Sequence, residues 1–422
     1  MKKDSRPRVL YIVYWGAAEP LGQSLVLPAV KRLAAMGVDL TLVTFEKPAD
    51  LERNQEIARI KGSLEENKVE WVPLRYHKRP KLPATFFDFL QGCLRGITAR
   101  VRKQPEIIHA RTFAGGLMGH ALAPLLRARL IYHNEGFYPD EQVDAGVWAA
   151  GSTPHRVARL LERRLYERSD GIISLSNRAR QVIEKLPGVS RKATPVIVVP
   201  SCVDLDRFKL NRERAPAVTD ELRLVYIGSV GGRYELDKVG RFVAVASREF
   251  KRVHLRVLTR AEPGLVKSML SSSGLPGESF SIDSIAYEAM PEALAGHHAG
   301  LLFLTKALSE HGCSPTKIGE YWATGMPIIV SPNISDTDEI IRNERVGVIV
   351  KDHSDAAYLG AARELAALLK DKELGERCRR AAELHYALEP ACERQLALYR
   401  EVTSGTTELI ARKRLSASSG AR

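Results

Sequence analysis

The chain alternates short, continuously apolar runs with longer segments in which apolar residues recur at helical spacing. Such runs predict strands of a sheet that is covered on both faces, and the segments between them predict helices. A first series of strands is expected at 8–14, 38–44, 69–73, 107–110, 130–133, 171–175 and 196–199. A second series is expected at 222–227, 253–259, 280–282, 301–304, 327–330 and 347–350. Two runs of alternating strands and helices predict two α/β domains, each with a parallel sheet.

A polar stretch at 211–221 separates the two series and is interpreted as a linker. A chain of 422 residues fits two domains, because single hydrophobic cores rarely grow beyond roughly 250 to 300 residues. We therefore expect domains at 1–205 and 206–385, followed by a helix within 386–404. The last segment, 405–422, is polar and basic and is predicted to be disordered.

The formal net charge of +13 is concentrated in the first half of the chain. Residues 1–204 carry 32 Lys and Arg against 21 Asp and Glu, whereas 205–410 carry about −2 and the last twelve residues +4. A basic half indicates an anionic partner such as a lipid surface, a lipid pyrophosphate or a nucleic acid. Improved solubility is the alternative explanation.

Other features of the sequence argue against several classes of protein. No apolar run reaches eighteen residues, so no membrane-spanning helix is expected, and the start lacks the long apolar core of a signal peptide. The five cysteines are scattered without paired spacing, which indicates a reducing cytosol and no structural zinc. The loop after the first strand lacks Gly-x-Gly-x-x-Gly, which argues against a dinucleotide-dependent oxidoreductase. Asp336, Asp338 and Glu339 are typical of a first helical turn rather than of a metal site.

The strongest chemical signal is HGCSPTKIGEYWATGMPIIVSP at 311–332. Ser314 is a natural N-cap, Pro315 suits the first helical position, and Gly325 suits the residue that ends a helix. A helix start leaves backbone N–H groups unpaired and carries partial positive charge, so it can hold a phosphate. The sequence therefore predicts an anion-binding helix start that leads into a buried strand.

Lys317 and Glu320 add charges to this helix. Thr316, Lys317 and Glu320 share one helix face, because they lie three and four residues apart. A nucleotide diphosphate-sugar suits this helix face. The cation and the hydroxyl would lie near a phosphate, and the carboxylate would accept hydrogen bonds from sugar hydroxyls. The alternative is an ordinary pair of solvated charges on a helix surface.

A glycine-rich segment, GSVGGRYELDKVGRF, follows the strand expected at 222–227. Gly228 and Ser229 begin it, and its glycines allow the backbone to approach a ligand. Arg233 and Lys238 stand five residues apart around a helix start, where two cations can neutralise a departing diphosphate. Glycine-rich turns are also common without any ligand.

The segment RYHKRPKLPATFFDFLQGCLRGITARVRK at 75–103 combines basic and aromatic residues. Phe86, Phe87, Phe89, Leu90 and Leu94 recur near helical spacing. One interpretation is a helix on a membrane surface, with apolar side chains in the headgroup layer and Lys or Arg beside acidic lipid. The other is a helix that faces the protein core and has basic flanks.

SPTKIGEYWATGMPIIVS resembles the donor-nucleotide motif of the glycosyltransferase family 4 enzymes of GT-B fold, in a subgroup associated with bacterial capsule and exopolysaccharide assembly. VVPSCVDLDRF at 198–208 and HNEGFYPDEQVDAGVW at 133–148 resemble further segments of that family. The resemblance implies two Rossmann-like parallel-sheet domains facing a central cleft, with the C-terminal helix crossing back to the first domain. It also implies that the first domain binds the acceptor and the second binds the nucleotide sugar.

The resemblance implies a role for each candidate residue. Nucleotide-sugar contacts are expected from Gly228, Ser229, Ser314, Thr316, Lys317 and Glu320, where the family's Glu binds the ribose. Arg233, Lys238 and Lys317 are the expected catalytic residues. Gln23, Ser24, His133 and Glu135 are expected to contact the acceptor. A carboxylate at 135 can orient or deprotonate a hydroxyl, or it can cap a neighbouring turn.

Four positions depart from the family pattern. Gly312 stands where an earlier Glu is usual, and Glu135 stands where the subgroup typically has Arg. Cys202 takes a Gly position, and Ser229 follows Gly228 where the family's Arg usually does. These departures leave contacts to the transferred sugar less defined than contacts to the nucleotide.

The function implied is a retaining glycosyltransferase that moves a sugar from a nucleotide diphosphate-sugar to a glycan or lipid-pyrophosphate-linked acceptor, without a metal or a further cofactor. The alternatives are a nucleotide-sugar epimerase or phosphorylase on the same architecture, and a non-catalytic scaffold that binds nucleotide sugars. The expected location is the cytoplasm, with an acidic membrane surface as a partner on the inner face of the plasma membrane. Nucleic acid is not expected as a partner.

Overall fold

The computed structural model describes residues 6–77, 79–210, 221–307 and 309–404. Most of the predicted linker at 211–221 and all of the predicted tail at 405–422 lie outside the described residues. The chain divides into two compact units, which are described separately. The first contains Met1–Val143, Trp148–Pro200 and Leu388–Arg422, and the second contains Asp144–Val147 and Ser201–Ala387.

The first unit contains a sheet of seven parallel strands in the order β3-β2-β1-β4-β5-β6-β7. Continuous apolar sequences form these strands, because both faces of the sheet are covered. The strands are β1 Arg8–Val13, β2 Asp39–Glu46, β3 Glu70–Arg75, β4 Ile107–Arg111, β5 Arg129–His133, β6 Gly171–Ser174 and β7 Val196–Val198. All agree with the predicted strands to within two residues at each end.

In the described part of the first unit, nine helices connect the strands. They are α1 Leu27–Ala35, α2 Pro48–Leu51, α3 Asn54–Glu66, α4 Lys81–Lys103, α5 Phe113–Leu126, α6 Tyr138–Asp144, α7 Thr153–Arg168, α8 Asn177–Glu184 and α9 Pro187–Lys192. A π-helical turn, Gly22–Val26, precedes α1. A Cβ atom on Gly22 would lie 2.1 Å from the carbonyl oxygen of Gly16, so only glycine fits the start of this turn.

The second unit contains a sheet of six parallel strands in the order β10-β9-β8-β11-β12-β13. Its strands are β8 Leu222–Ile227, β9 Val253–Leu258, β10 Phe280–Asp283, β11 Ala299–Leu302, β12 Ile328–Val330 and β13 Gly347–Ile349. Its helices are α10 Leu236–Ala246, α11 Pro263–Ser272, α12 Met290–Leu294, α13 Thr316–Ala323, α14 Thr337–Glu344, α15 Asp355–Leu368 and α16 Leu374–His385. Both sheets reverse their strand order once, and ligands in open α/β sheets collect at the carboxyl ends of the strands at that point.

The last helix, α17 Leu388–Thr403, belongs to the first unit. Arg394 donates a hydrogen bond to the carbonyl oxygen of Val198, and Cys392 is fully buried. The chain therefore returns to its first unit at the end, as the resemblance implied.

Helix α4 presents two different faces. Its buried face has no room for larger side chains, because a Cβ on Gly92 would lie 2.8 Å from the Met118 sulfur and one on Gly96 2.6 Å from a Leu122 methyl. Of the five predicted apolar residues, only Phe89 packs on the core. The core-facing interpretation is therefore wrong for the other four, which are exposed: Phe86, Phe87, Leu90 and Leu94.

Within the described residues, no helix is long and apolar enough to cross a membrane. The acidic residues Asp338 and Glu339 lie in the first turn of α14, and Asp338 accepts hydrogen bonds from the backbone N–H of Asn333 at 3.0 and 3.1 Å. They therefore stabilise the start of the helix.

Candidate active site

Helix α13 lies at the point where the second sheet reverses its strand order. Its Tyr321 ring is fully buried against Gly300, and the Tyr321 hydroxyl accepts a hydrogen bond from Ile227 N–H at 3.0 Å. The Trp322 ring is also buried, and its Nε1–H donates to the carbonyl oxygen of Val346 at 3.0 Å. These contacts fix the start of α13 beside the carboxyl end of β8.

The helix begins one residue later than the sequence predicts. Pro315, rather than Ser314, is the N-cap, and no side chain caps the first turn. The Ser314 hydroxyl instead accepts a hydrogen bond from Ser201 N–H at 3.0 Å, which ties two segments of the second unit together. The correction has a physical reason, because proline cannot cap N–H groups and Ser314 is already engaged. In the first turn the Ile318 N–H donates to the Pro315 carbonyl oxygen at 3.2 Å, whereas the N–H groups of Thr316 and Lys317 come before the first intrahelical partner and are available to an anion.

The Lys317 side chain is 5% exposed and lies over the glycine-rich turn. Its ammonium is 4.1 Å from the ring centre of Tyr234 and 5.5 Å from that of Tyr226. A Cβ on Gly228 would lie 2.6 Å from the Lys317 Nζ, and Gly228 has a positive φ of 119°. Glycine is therefore required here both by backbone conformation and by the approach of the ammonium.

Glu320 is 7% exposed, one helical turn beyond Lys317. Burial raises the pKa of Glu320 to about 7, against the attraction of Lys317 and Arg207. Burial likewise lowers the pKa of Lys317 to about 8, against the attraction of Glu320 and Cys313. The alternative of two solvated surface charges is therefore wrong, because both side chains are buried.

Within the described residues, the charged contacts of Lys317 and Glu320 are electrostatic attraction to each other and, for the ammonium, the two tyrosine rings, with no hydrogen bond or ion pair to either group. Arg207 is the nearest further cation that acts on Glu320. Its guanidinium lies 3.5 Å from the ring centre of Tyr287 and donates to the Tyr287 carbonyl oxygen. Sequence reasoning missed Arg207, Tyr226, Tyr234 and Tyr287, although Arg207 directly precedes the buried Phe208 in the recognised interdomain motif.

The two other predicted catalytic cations are placed differently. Arg233 is half-buried, and its Nε atom has no hydrogen-bond partner among the described residues. Lys238 forms an ion pair with Asp237 at 3.6 Å and lines a polar cavity of about 350 Å³ with Arg241 and His353. Ser229 is exposed, and its carbonyl oxygen accepts a hydrogen bond from the Tyr226 hydroxyl at 2.5 Å. No ion pair or hydrogen bond joins these residues to Lys317 or Glu320 within the described ranges.

A cavity of about 1040 Å³ in the second unit lies at the opposite edge of the sheet, before the strands begin. Phe250, His298 and Pro327 line it, and each directly precedes or lies near the start of a strand. It contains none of the predicted site residues, although Arg207 reaches its wall. Its size alone therefore does not make it the catalytic site.

In the first unit, His133 and Glu135 lie at the carboxyl end of β5. His133 is 1% exposed, and its Nε2 lies 3.6 Å from the Glu135 Oε1. The Arg111 Nε, at the end of β4, donates to the same carboxylate oxygen. No backbone N–H donates to Glu135 in the described part of the chain, so its carboxylate pairs with a cation and does not cap a turn. Arg111 was not singled out from the sequence, since nothing in the spacing of 111 and 135 indicates that adjacent strands bring them together.

Gln23 and Ser24 lie in the π-helical turn before α1. The Gln23 side chain is 5% exposed, and its amide nitrogen donates to the Ala18 carbonyl at 3.0 Å and to Glu56 at 2.6 Å. Both of its N–H groups are therefore used within the fold. Ser24 is half-buried, and the structure brings neither residue into hydrogen-bond contact with His133 or Glu135.

No group of three or more potential metal ligands clusters within the described residues. Each unit therefore carries its own group of candidate residues. The second unit has a helix start with the buried Lys317 and Glu320, and the first unit has the buried His133 beside the Arg111–Glu135 pair.

Comparison with known proteins places these features in context. The model of Glycosyltransferase Family 4 matches residues 24–207. No curated protein matches the chain. Several solved structures, by contrast, match nearly its whole length.

Sucrose-phosphate synthase from Thermosynechococcus elongatus is 17% identical with a TM-score of 0.71, over 95% of this chain and 100% of that one. Anabaena Alr3699/HepE, solved with UDP and glucose, is 12% identical with a TM-score of 0.63, over 93% and 99%. A putative UDP-N-acetylglucosamine 2-epimerase from Listeria monocytogenes is 15% identical with a TM-score of 0.57, over 94% and 96%. At such low identity these likenesses establish the GT-B fold alone.

Proposed function

Because residues 24–207 match the model of Glycosyltransferase Family 4 and the chain has a GT-B fold, we propose that the protein is a member of that family and a retaining, metal-independent glycosyltransferase. It moves a sugar from a nucleotide diphosphate-sugar to a glycan or lipid-linked acceptor. The donor binds the second unit and the acceptor binds the first. The proposed setting is bacterial capsule or exopolysaccharide biosynthesis in the cytoplasm, at the inner face of the plasma membrane.

One observation supports this proposal above the others: Lys317 and Glu320 are buried charges without a hydrogen-bond partner among the described residues. Burying a charge that is neither paired nor hydrogen-bonded is costly, so a fold that retains two such groups side by side has a use for them. A nucleotide diphosphate-sugar supplies what both groups lack. Its phosphates accept hydrogen bonds from the ammonium and from the first-turn amides, and its ribose hydroxyls donate to the carboxylate.

The same groups favour departure of the nucleotide. Negative charge develops on the diphosphate as the sugar bond breaks, and preorganised donors in a dry site stabilise that charge strongly. Lys317 lies against the rings of Tyr226 and Tyr234 rather than in water, so it needs little reorganisation during the reaction. Arg233 and Lys238 are proposed as further cations for this step, and Ser314 and Thr316 as part of the donor-binding turn.

In the acceptor site, Glu135 accepts a hydrogen bond from the acceptor hydroxyl, and His133 lies beside it. The Arg111 guanidinium donates to the Glu135 carboxylate, and this contact supports a carboxylate that is held in place to orient the acceptor hydroxyl. Correct placement of the hydroxyl lowers the barrier because it converts a bimolecular encounter into a local step.

The acidic membrane surface is proposed to contact α4. Five large apolar side chains on this helix are between 41% and 62% exposed: Phe86, Phe87, Leu90, Leu94 and Ile97. Residues 75–103 carry eight Lys and Arg but only one acidic residue, Asp88, which is fully buried. An apolar face with a basic surround fits the headgroup region of an anionic bilayer.

Cosedimentation with vesicles of phosphatidylcholine and phosphatidylglycerol tests this contact. Each inserted phenylalanine contributes about 1.5–3 kcal/mol, so the double variant Phe86→Ser/Phe87→Ser should bind at least tenfold more weakly. Leu384→Ser, on the 71% exposed Leu384 of α16, is the matched control and should bind normally. Equal binding of both variants, or no binding of the native protein to acidic vesicles, would refute the proposed surface.

The donor assignment is tested by turnover with a panel of UDP-, GDP-, ADP- and dTDP-sugars. Lys317→Ala and Glu320→Ala should each lose on the order of 1–3 kcal/mol of donor binding or transition-state stabilisation. Glu339→Ala, at an exposed position on α14, is the matched control. Full turnover by both site variants would contradict the assignment of Lys317 and Glu320 to donor binding.

A nucleotide-sugar epimerase is the second candidate, because a putative epimerase shares the fold. Product analysis without any acceptor separates the two activities, since only an epimerase converts the nucleotide sugar alone. A protein that binds nucleotide sugars but neither transfers nor converts the sugar with any donor of the panel would be a scaffold.

A further inference from the structure

Four side chains of the first unit form a continuous polar chain that ends at the proposed acceptor site. The Tyr399 hydroxyl, on α17, lies 2.6 Å from the His109 Nδ1. The His109 Nε2 lies 3.0 Å from the His133 Nδ1, and the His133 Nε2 lies 3.6 Å from the Glu135 Oε1. Tyr399, His109 and His133 are each at most 1% exposed, whereas the Glu135 side chain is 17% exposed. The chain thus leads from the buried final helix to the surface of the site.

The charges around the chain keep both histidines neutral. Burial lowers the pKa of His109 and of His133 well below the usual value, and the nearby Arg111 guanidinium lowers both further. The other groups that face them are the Tyr11 ring, stacked 4.1 Å from the His109 ring, and the Glu135 carboxylate. A neutral imidazole has one N–H donor and one nitrogen acceptor, so each contact along the chain has a direction.

Only one direction places an N–H, rather than a second acceptor, opposite the Glu135 carboxylate. If His133 carried its proton on Nδ1, it would donate to His109, and its Nε2 lone pair would face the Glu135 carboxylate. Two acceptors would then face each other across a buried contact, which is unfavourable. In the reverse direction the Tyr399 hydroxyl donates to His109, His109 donates to His133, and the His133 Nε2–H faces Glu135. Both histidines are then protonated on Nε2.

We propose that Tyr399 and His109 are positioning residues that hold His133 as a neutral hydrogen-bond donor directed at Glu135. This inference rests on the proposed function of the site. It assigns His133 the role of a hydrogen-bond donor, so His133 does not take a proton from the acceptor substrate. Its Nε2–H has no hydrogen-bond partner at normal distance among the described residues. A hydroxyl oxygen of the acceptor substrate placed near it therefore completes the chain, while the Arg111 guanidinium and the His133 N–H both face the Glu135 carboxylate.

The final helix is thereby part of the site although it contacts no substrate. The Tyr399 hydroxyl orients His109, and the stacked Tyr11 ring restricts rotation of the same imidazole. Removing the hydroxyl frees His109 to adopt the other tautomer, which would turn the His133 Nε2 into an acceptor. The site would then present two acceptors, His133 and Glu135, to the incoming hydroxyl.

NMR of protein labelled with [15N]histidine tests the proposal directly, because the two nitrogens of a neutral imidazole have different shifts according to which is protonated. The native protein at neutral pH should show His109 and His133 both protonated on Nε2. The signals of His109 and His133 are assigned with the variants His109→Asn and His133→Asn, since each variant removes the signals of one imidazole ring. Protonation of His133 on Nδ1, or on both nitrogens, would overturn the inference.

The kinetic arm compares Tyr399→Phe with Tyr166→Phe. The Tyr166 hydroxyl is equally buried and has no hydrogen-bond partner among the described residues, so it controls for loss of a buried hydroxyl. Tyr399→Phe should lower kcat about five- to tenfold with an unchanged donor KM, and should change the His133 tautomer signal. Equal effects of the two variants on both readouts would reduce the chain to a structural role. Since the NMR arm needs no turnover, failure of the proposed activity and failure of the chain are distinguishable.

Discussion

Replacing Glu320 by glutamine should stabilise the ligand-free protein while weakening donor binding. The carboxylate is buried, and burial raises its pKa to about 7 from the usual value of 4.5. A glutamine of almost the same shape fills the site without a charge. A residue kept for stability would behave in the opposite way, so the substitution separates function from folding.

The magnitude follows from the pKa change. One pKa unit corresponds to about 1.4 kcal/mol, so the ionised carboxylate costs the folded protein roughly 3 kcal/mol at pH 8. Between pH 4.5 and about 7 the folded state binds more protons at this position than the unfolded state, so stability falls as the pH rises through that window. The gain from Glu320→Gln should therefore grow from about 1 kcal/mol at pH 5 to about 3 kcal/mol at pH 8.

Urea unfolding at pH 5 and pH 8 measures the effect, because the midpoint shifts at constant slope if stability alone changes. Glu339→Gln, at an exposed position of α14, is the matched control and should change little at either pH. Thermal shifts with nucleotide sugars are measured on the same samples. A destabilised Glu320→Gln variant, or one that keeps the full ligand-induced shift, would refute the reasoning.

Three further substitutions probe the same sites. Lys317→Met should stabilise the ligand-free protein below pH 8 by up to about 3 kcal/mol, because burial lowers the pKa of the ammonium to about 8. This gain in stability should vanish as the pH rises from 8 to 10.5, and turnover should fall at least a hundredfold. Gly228→Ala should cost about 1–3 kcal/mol of stability, because residue 228 has a positive φ, and should weaken nucleotide binding by displacing the Lys317 ammonium. Native nucleotide affinity in a calorimetric titration would contradict the expected loss of binding. Arg111→Met should destabilise the protein by about 3–5 kcal/mol, because it leaves Glu135 without its cation. In a double-mutant cycle, adding Glu135→Gln should restore part of that lost stability, and simple additivity of the two effects would argue against the pair.

The fold was predictable because the strands are marked by continuous apolar runs. The expected strand at 222–227 is found unchanged as β8, and the run at 107–110 is longer by one residue in β4. Helix ends were less predictable. Ser314 has the residue type of an N-cap, but its hydroxyl is used by Ser201, a tertiary contact that no local pattern reveals.

The candidate site was predictable only where its residues are neighbours in sequence. Lys317 and Glu320 share one helix and were identified together. Arg111 and Glu135 meet only because β4 and β5 are adjacent strands, and Tyr399 reaches His109 only because the last helix returns to the first unit. Helix α4 illustrates a different limit, since amphipathic spacing identifies an apolar face but not what covers it.

The central claim is that the start of α13, with Lys317 and Glu320, binds the diphosphate and ribose of a nucleotide. Calorimetric titration of the native protein and of Lys317→Met with UDP, GDP, ADP and dTDP tests it most directly. At least one nucleotide should bind the native protein, and it should bind Lys317→Met at least tenfold more weakly. Equal affinity for both proteins, or no binding of any of the four nucleotides to the native protein, would contradict the claim.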